Sequence, residues 1–415
     1  MLLTLSGTCK SKSKVIGLGL TCLMLASIQR AQAEGLQINS TFQTGVDVWA
    51  ISPRQPNQVP FSFKGSDYED QKNLNLPDAD TKWNYRAVSP WMRWSSSVRL
   101  SSNFEANLKV RADQLLGAHV DVANIDWAPS PYLGLRAGVV NFNTNWCRTY
   151  DVDSPWMAEP DEFCRNNDSI RMNNAAPGLQ AYTQTALGEY QMQSIVGVYR
   201  PGLFGYETEE FGFNTTALRS NFKRDFNRKI SAALNFLNLK TGTQLRLGMM
   251  HSDQAGHYSP RLSSDDRARH NLVDNYYLGI DTYLRPSLRL RYSASQFFSR
   301  DFYDDVLIIR DKDKSESMEL IYEWTAADQW ALGWSRFTIA ASLDDAAFKQ
   351  NAANSKADDF YHHSNSTLQM SWRHQWGKGI YSIVQWTHAA QTNWYFGNRR
   401  PSSGDAVGVR LAYQY

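Results

Sequence analysis

The sequence predicts an all-β fold, a transmembrane, antiparallel, up-and-down β-barrel of about sixteen strands. Polar and apolar side chains alternate with a period of two residues through most of the chain. Aromatic residues make up 13% of a sequence whose mean hydropathy is only −0.49. Only one face of a barrel strand meets lipid, so half of every strand stays polar and the mean hydropathy stays low.

Composition and hydropathy exclude two other classes of protein. The longest apolar run, Val15 to Ile28, lies near the N-terminus and is shorter than the roughly 18 to 20 residues that a membrane-spanning helix needs. With 14 Trp, 20 Tyr and 19 Phe, the chain carries far more ring surface than a disordered chain does.

The first residues, 1–33, have the pattern of a secretory signal peptide. The basic region ends at Lys14, the apolar core spans Val15 to Ile28, and Ala31-Gln32-Ala33 is an A-x-A cleavage site. The leader holds four of the 43 Lys and Arg residues and none of the 41 Asp and Glu residues, so the remainder, 34–415, has 39 cations against 41 carboxylates and a net charge of −2. We therefore expect no nucleic-acid partner.

Short turns and longer polar links alternate along the chain. Seven turns are predicted, near Ser101-Asn103, Pro129-Pro131, Gly188-Glu189, Lys240-Gly242, Arg285-Ser287, Thr325-Gln329 and Gly377-Gly379. Eight links are predicted, near 51–87, Gly117-His119, 141–177, 200–228, 252–274, 299–314, 342–364 and 389–404. Together they connect sixteen strands, and short turns on one side with long loops on the other are typical of outer-membrane barrels.

A sheet in lipid must close, because each unpaired backbone group would cost several kcal/mol. Aromatic side chains should then collect at the two water–lipid interfaces. Trp324 and Trp330 bracket one short turn, and Trp376 and Tyr381 bracket another. A soluble aromatic core is the alternative interpretation of these rings.

The end of the chain resembles the C-terminal strand of Gram-negative outer-membrane proteins. Its alternating apolar residues are Val407, Val409, Leu411, Tyr413 and Tyr415. The resemblance implies that Tyr413 and Tyr415 belong to the signal read by the barrel assembly machinery. That family most often ends in Phe, and Tyr415 is a variant of the pattern.

The whole of 34–415 resembles the general porins, because it combines sixteen predicted strands with a long mid-barrel loop after the fifth. The resemblance implies a homotrimeric channel for small hydrophilic solutes in the outer membrane, surrounded by lipid and lipopolysaccharide. It also implies that the loop 141–177 folds into the lumen as a constriction. Within this class a solute-specific channel, for sugars or carboxylates, is the alternative, and a structural or adhesive barrel is a further one.

Charged residues indicate where the constriction would lie. If Met92 and Trp94 face lipid, the alternation points four cations of three neighbouring strands inward: Arg93, Lys109, Arg111 and Arg136. The loop carries acids that would face this wall and create a transverse field: Asp151, Asp153, Asp161 and Glu162. The alternative is that all of these are ordinary solvated charges.

Cys147 and Cys164 are the two cysteines that remain after the leader, and both lie in the loop 141–177. In an exported chain a disulfide is the expected state. It would close roughly 17 residues and restrict the unfolded loop by about 3 kcal/mol. Two free thiols, or a zinc site without a nearby histidine, are the alternatives.

Motifs for catalysis are missing from the sequence. It contains no G-x-S-x-G, no H-E-x-x-H and no glycine-rich phosphate loop, and its eight histidines are scattered. We therefore expect no enzymatic activity, no cofactor and no metal centre. Acid pairs such as Asp265-Asp266 would bind divalent ions shared with lipopolysaccharide, or would only keep the loops soluble.

Overall fold

The computed structural model describes residues 37–53, 85–113, 117–142, 146, 154–157, 175–200, 222–258, 268–303, 306–343, 361–395 and 398–415. The predicted leader lies outside these ranges. So do both cysteines and the predicted loop acids: Cys147, Cys164, Asp151, Asp153, Asp161 and Glu162.

Sixteen strands make up the described part of the chain. The first eight are β1 Gln37–Pro53, β2 Tyr85–Arg99, β3 Phe104–Asp113, β4 Gly117–Ser130, β5 Leu133–Asn141, β6 Ala175–Leu187, β7 Tyr190–Tyr199 and β8 Phe222–Asn238. The second eight are β9 Gln244–Tyr258, β10 Ala268–Arg285, β11 Leu288–Tyr303, β12 Val306–Glu323, β13 Asp328–Leu343, β14 Tyr361–Gly377, β15 Ile380–Tyr395 and β16 Asn398–Gln414.

The strands form one closed barrel in which each pairs antiparallel with its neighbours in sequence. Closure comes from β1 and β16, whose ladder runs from Gln43 opposite Gln414 to Pro53 opposite Gly404. The predicted fold class and strand number are confirmed. Among the described residues, no helix is long and apolar enough to cross a membrane.

The short turns lie where the sequence predicts them, but several long links are shorter than predicted. The predicted link 299–314 is almost entirely strand, because β11 continues to Tyr303 and β12 begins at Val306. Gly117 and His119 belong to β4 rather than to a link. Beyond the lipid both faces of a strand are wet, so the ladder continues where the polar–apolar alternation stops.

The alternation assigns the two faces of the wall as predicted. On β1, Val46 and Val48 are 39% and 43% exposed on the outer face, whereas Gln43 and Asp47 are buried on the lumen side. Trp324, Trp330 and Trp376 are exposed near the short turns, as expected for an interfacial belt.

Tyr381 does not belong to this belt. It is buried in a lumen-side cluster with Trp49 and Trp91, and the Arg373 guanidinium lies 4.8 Å from its ring centroid. Its place beside a turn suggested an interfacial ring. On β15, however, Tyr381 lies on the same face as Ile383 and Gln385, which are both 0% exposed and point toward the lumen.

Candidate functional site

The four predicted cations share the lumen side of β2, β3 and β5. Arg93 and Arg111 are direct partners across the β2–β3 ladder, and Lys109 lies one alternation step further along β3. Arg136 on β5 is paired with Asp126 across the β4–β5 ladder. The structure therefore brings these four side chains to one wall.

Two aspartates on β4, which the sequence analysis missed, lie among these cations. Asp121 Oδ1 is 3.3 Å from Arg111 Nη2, and Asp126 Oδ2 is 2.7 Å from Arg136 Nε. Tyr182 donates a hydrogen bond of 2.7 Å to the other oxygen of Asp126, and its ring lies 4.4 Å from the Arg136 guanidinium. The formal charge of the four cations and two carboxylates is therefore +2.

A bulge explains how Asp121 reaches the wall. Lys109 is opposite Val122 whereas Val110 is opposite Val120, so Asp121 is the extra residue on β4. A bulge re-aims the side chain of its extra residue. No two-residue pattern in the sequence predicts this position.

The loop that follows β5 enters the lumen at Phe142. This ring packs edge-on against Tyr199 with the centroids 4.5 Å apart. The Lys229 Nζ lies 5.5 Å from the Phe142 ring centroid, and Ser231 donates a hydrogen bond of 3.4 Å to the Phe142 carbonyl. The start of the loop is thus fixed to β7 and β8.

Trp146 is the next described residue of the loop, and it lies against β9 to β11. The guanidinium groups of Arg246 and Arg291 lie 5.7 and 5.8 Å from its ring, and Tyr277 meets it edge-on at 6.2 Å. A Cβ at Gly279 would lie 2.8 Å from the Trp146 ring, so glycine makes this approach possible.

The short segment 154–157 contacts β13, β15 and β16. Trp156 is 2% exposed, and a Cβ at Gly333 on β13 would lie 2.9 Å from its ring. The Met157 backbone is held at both polar groups, because its N–H donates to Gln385 Oε1 at 2.7 Å and its carbonyl accepts from Arg410 Nη2 at 3.0 Å.

Arg410 also ties the loop to the seam that closes the barrel. It makes a bidentate pair with Asp47, at 2.7 Å from Nε and 2.6 Å from Nη2, and Asp47 accepts a 2.9 Å hydrogen bond from Trp91 Nε1. Asp47 and Arg410 are 9% and 7% exposed. Strands β1, β2 and β16 and the loop therefore share one buried polar network.

The described loop residues contact β7 to β11, then β13, then β15 and β16. The four cations lie on β2, β3 and β5, where Arg111 is only 7% exposed. A cationic wall and an anchored loop thus face the same lumen, an arrangement that can bias the passage of charged solutes.

A pocket of mixed polarity is lined by Trp146. Its volume is about 190 Å³, and its lining includes Arg246, four apolar residues of β7 to β9 and five amide side chains: Gln184, Gln191, Gln193, Asn235 and Gln244. Arg246 donates to Asn235 at 2.7 Å, and Asn235 donates to Gln193 at 3.2 Å. Among the described residues there is no group of three or more side chains able to hold a metal ion.

Comparison with protein-family models gave no match, and comparison with curated protein sequences gave none either. Solved structures do resemble the barrel. The outer-membrane channel DcaP of Acinetobacter baumannii has a TM-score of 0.55 at 12% identity, over 92% of this chain and 97% of that one. An anion-selective porin from Comamonas acidovorans has a TM-score of 0.54 at 12% identity, over 91% and 100%.

The outer-membrane protein OmpT of Vibrio cholerae, in its trimer form, has a TM-score of 0.55 at 7% identity, over 92% of this chain and 99% of that one. At such identities the likeness is one of fold. It shows that the chain has the architecture of the sixteen-stranded porins.

Proposed function

We propose that the protein is an outer-membrane porin, a water-filled channel for the passive diffusion of small hydrophilic solutes and ions. The observation that carries the proposal is the lumen, where an inner loop is anchored to one part of the wall and four cations lie on another. This arrangement sorts solutes by size and charge and assigns no side chain a catalytic role.

The constriction in this proposal has two sides. The basic side consists of Arg93, Lys109, Arg111 and Arg136. Asp121 and Asp126 neutralise part of its charge. The loop acids Asp151, Asp153, Asp161 and Glu162 supply the opposite side, and a Cys147–Cys164 disulfide holds the loop in shape. The anchors at Trp146 and Met157 support this geometry because they flank Asp151 and Asp153 in the sequence, and Asp161 and Glu162 follow Met157 within five residues.

The proposed assembly is a homotrimer in a bilayer of lipid and lipopolysaccharide. Support comes from the outer face of β1 to β7, where the described side chains include no charge and where β3, β5 and β7 have only 10, 9 and 10 residues. A short, apolar, uncharged face suits contact between subunits. One of the related folds also forms a trimer.

Biogenesis in this proposal uses the C-terminal strand, with Tyr413 and Tyr415 as the signal for the barrel assembly machinery. The Tyr415 N–H donates to the Phe42 carbonyl at 2.8 Å, so the last residue takes part in barrel closure.

A solute-specific channel is the second candidate, and the amide-lined pocket beside Trp146 favours it. Amide side chains can donate to and accept from hydroxyl groups, as sugar recognition requires, and Arg246 can pair with a carboxylate.

Conductance of the purified protein in a planar bilayer tests the channel itself. Discrete current steps are expected, whereas a silent, correctly folded barrel would move the assignment to a structural or adhesive protein. Liposome swelling with sugars and carboxylates of equal size then separates the two channel types. An Asn235→Leu variant should slow the preferred solute alone if the pocket selects it, and should leave all rates equal if diffusion is general.

A further inference from the structure

Two glycines on the lumen face of the wall receive the tryptophans of the inner loop. Gly333 lies on β13 and Gly279 on β10. A Cβ on Gly333 would lie 2.9 and 3.1 Å from the Cζ2 and Cη2 atoms of Trp156, which is 2% exposed. A Cβ on Gly279 would lie 2.8 Å from the Trp146 ring and would also meet the Tyr277 hydroxyl.

The backbone does not require glycine at either position. Neither Gly279 nor Gly333 has a positive φ angle, and both lie inside strands rather than in turns. Glycine in a strand interior weakens the strand and often marks a place where another group approaches the backbone closely. The close approach of the two rings therefore accounts for glycine at both positions.

The wall between these glycines carries only small side chains along one row of the ladder. Gly279 is opposite Ser293 on β11, and Ser293 is opposite Ser317 on β12. Ser317 is opposite Ser335 on β13, two residues from Gly333. The three serines are 3%, 4% and 1% exposed. Neighbouring strands lie about 4.8 Å apart, so the row extends roughly 14 Å around the wall. We call this row, together with Gly333, the loop seat.

Shape rather than polar bonding holds Trp156 on the loop seat. Among the described residues, its indole N–H has no hydrogen-bond partner. Its ring packs with the buried side chains of Ile321 and Ala331. The atoms beneath the ring therefore set the depth at which it lies. Because carbon atoms rest about 3.5 to 4.0 Å apart, a methyl group on Gly333 would displace the ring by roughly 1 Å.

We propose that the loop seat sets the width of the passage, with Gly333 and Gly279 as the residues that decide how far the inner loop stands from the wall. The inference rests on the proposed channel function. The described contacts of the loop are with β7 to β11, β13, β15 and β16, so a loop raised from its seat moves toward the middle of the lumen and leaves less space for solutes. The seat acts on solute size and not on charge, because its members are uncharged.

Single-channel conductance of the purified protein tests the loop seat. Gly333→Ala should lower the conductance, and Gly333→Ala with Gly279→Ala should lower it further. The matched control is Trp156→Leu, because leucine lacks the six-membered ring that a Cβ on Gly333 would meet. In that background Gly333→Ala should cause no further loss, since the two positions act through one contact. The reversal potential in a salt gradient should stay the same in all variants, because no charge changes.

The midpoint of unfolding in urea supplies a measurement that does not need conduction. Gly333→Ala should lower this midpoint only while Trp156 is present, and a Gly333→Ala barrel that folds only together with Trp156→Leu would support the seat equally.

Losses of conductance that are equal with and without Trp156, or no loss in either background, would overturn the proposal, and so would a lower midpoint at unchanged conductance. If the unaltered barrel passes no current, the channel function itself fails, and the midpoints then show separately whether the ring and the glycine are coupled.

Discussion

The charge of the wall formed by β2 to β5 should set the ion selectivity of the channel. Replacing Arg93, Arg111 and Arg136 by Gln changes the formal charge of the four cations and two β4 carboxylates from +2 to −1. Replacing Asp121 and Asp126 by Asn changes it from +2 to +4, because both carboxylates lie against these arginines. The two variants should therefore shift selectivity in opposite directions, toward cations and toward anions.

The size of the effect follows from Coulomb's law. An ion that passes about 5 Å from a unit charge in water changes in energy by about 0.8 kcal/mol, or roughly fourfold in partition. Three charges give at most roughly 60-fold. The effect should be largest at 0.01 M salt, where the Debye length is about 30 Å, and should nearly vanish at 1 M, where it is about 3 Å.

Reversal potentials across a salt gradient measure this selectivity directly. The control is a triple variant of exposed cations on the short-turn side: Lys240→Gln, Arg285→Gln and Lys378→Gln. It removes as many positive charges and should leave the reversal potential unchanged. Unmoved potentials at low salt in both wall variants, or shifts of the same sign, would refute the placement of the ion path beside this wall. Heat-modifiable gel migration confirms that each barrel is folded.

Three further outcomes are expected. Asp47→Ala leaves Arg410 buried without its carboxylate, so the free energy of unfolding in urea should fall by about 3–5 kcal/mol, and an unchanged midpoint would contradict the role of the seam network. Cys147→Ser with Cys164→Ser should leave gel migration unaltered but raise single-channel noise; a quiet trace would place the bridge away from the constriction. Tyr415→Asp puts a charge at the membrane interface, so the variant should be depleted from the outer membrane, and normal levels would argue against the terminal signal.

The sequence could predict the features that depend on local alternation. Arg93, Arg111 and Arg136 face the lumen because their strands keep an unbroken two-residue period around them. Asp121 was missed because a bulge breaks that period, and a bulge leaves no mark in the alternation. The lengths of β11 and β12 were underestimated because the strand ends that extend into water lack the polar–apolar alternation and have the polar composition of loops.

The inner contacts of the loop could not be predicted, because they join residues far apart in sequence. Met157 is 228 positions from Gln385 and 253 from Arg410 along the chain. Nothing near Trp146 or Trp156 in the sequence indicates Gly279 or Gly333 as the places that receive their rings.

The seam network also has a consequence for the order of assembly. Asp47 belongs to the first strand, Arg410 to the last, and Met157 to the loop between the fifth and sixth strands. The bond to the Met157 carbonyl is thus available only when the C-terminal strand is in place, whereas the contacts of Phe142 with β7 and β8 need only the middle of the chain. The anchor at Met157 therefore depends on the seam between β1 and β16, whereas the anchor at Phe142 depends only on the middle of the sheet, so a barrel that fails to close would keep the anchor at Phe142 and lose the one at Met157.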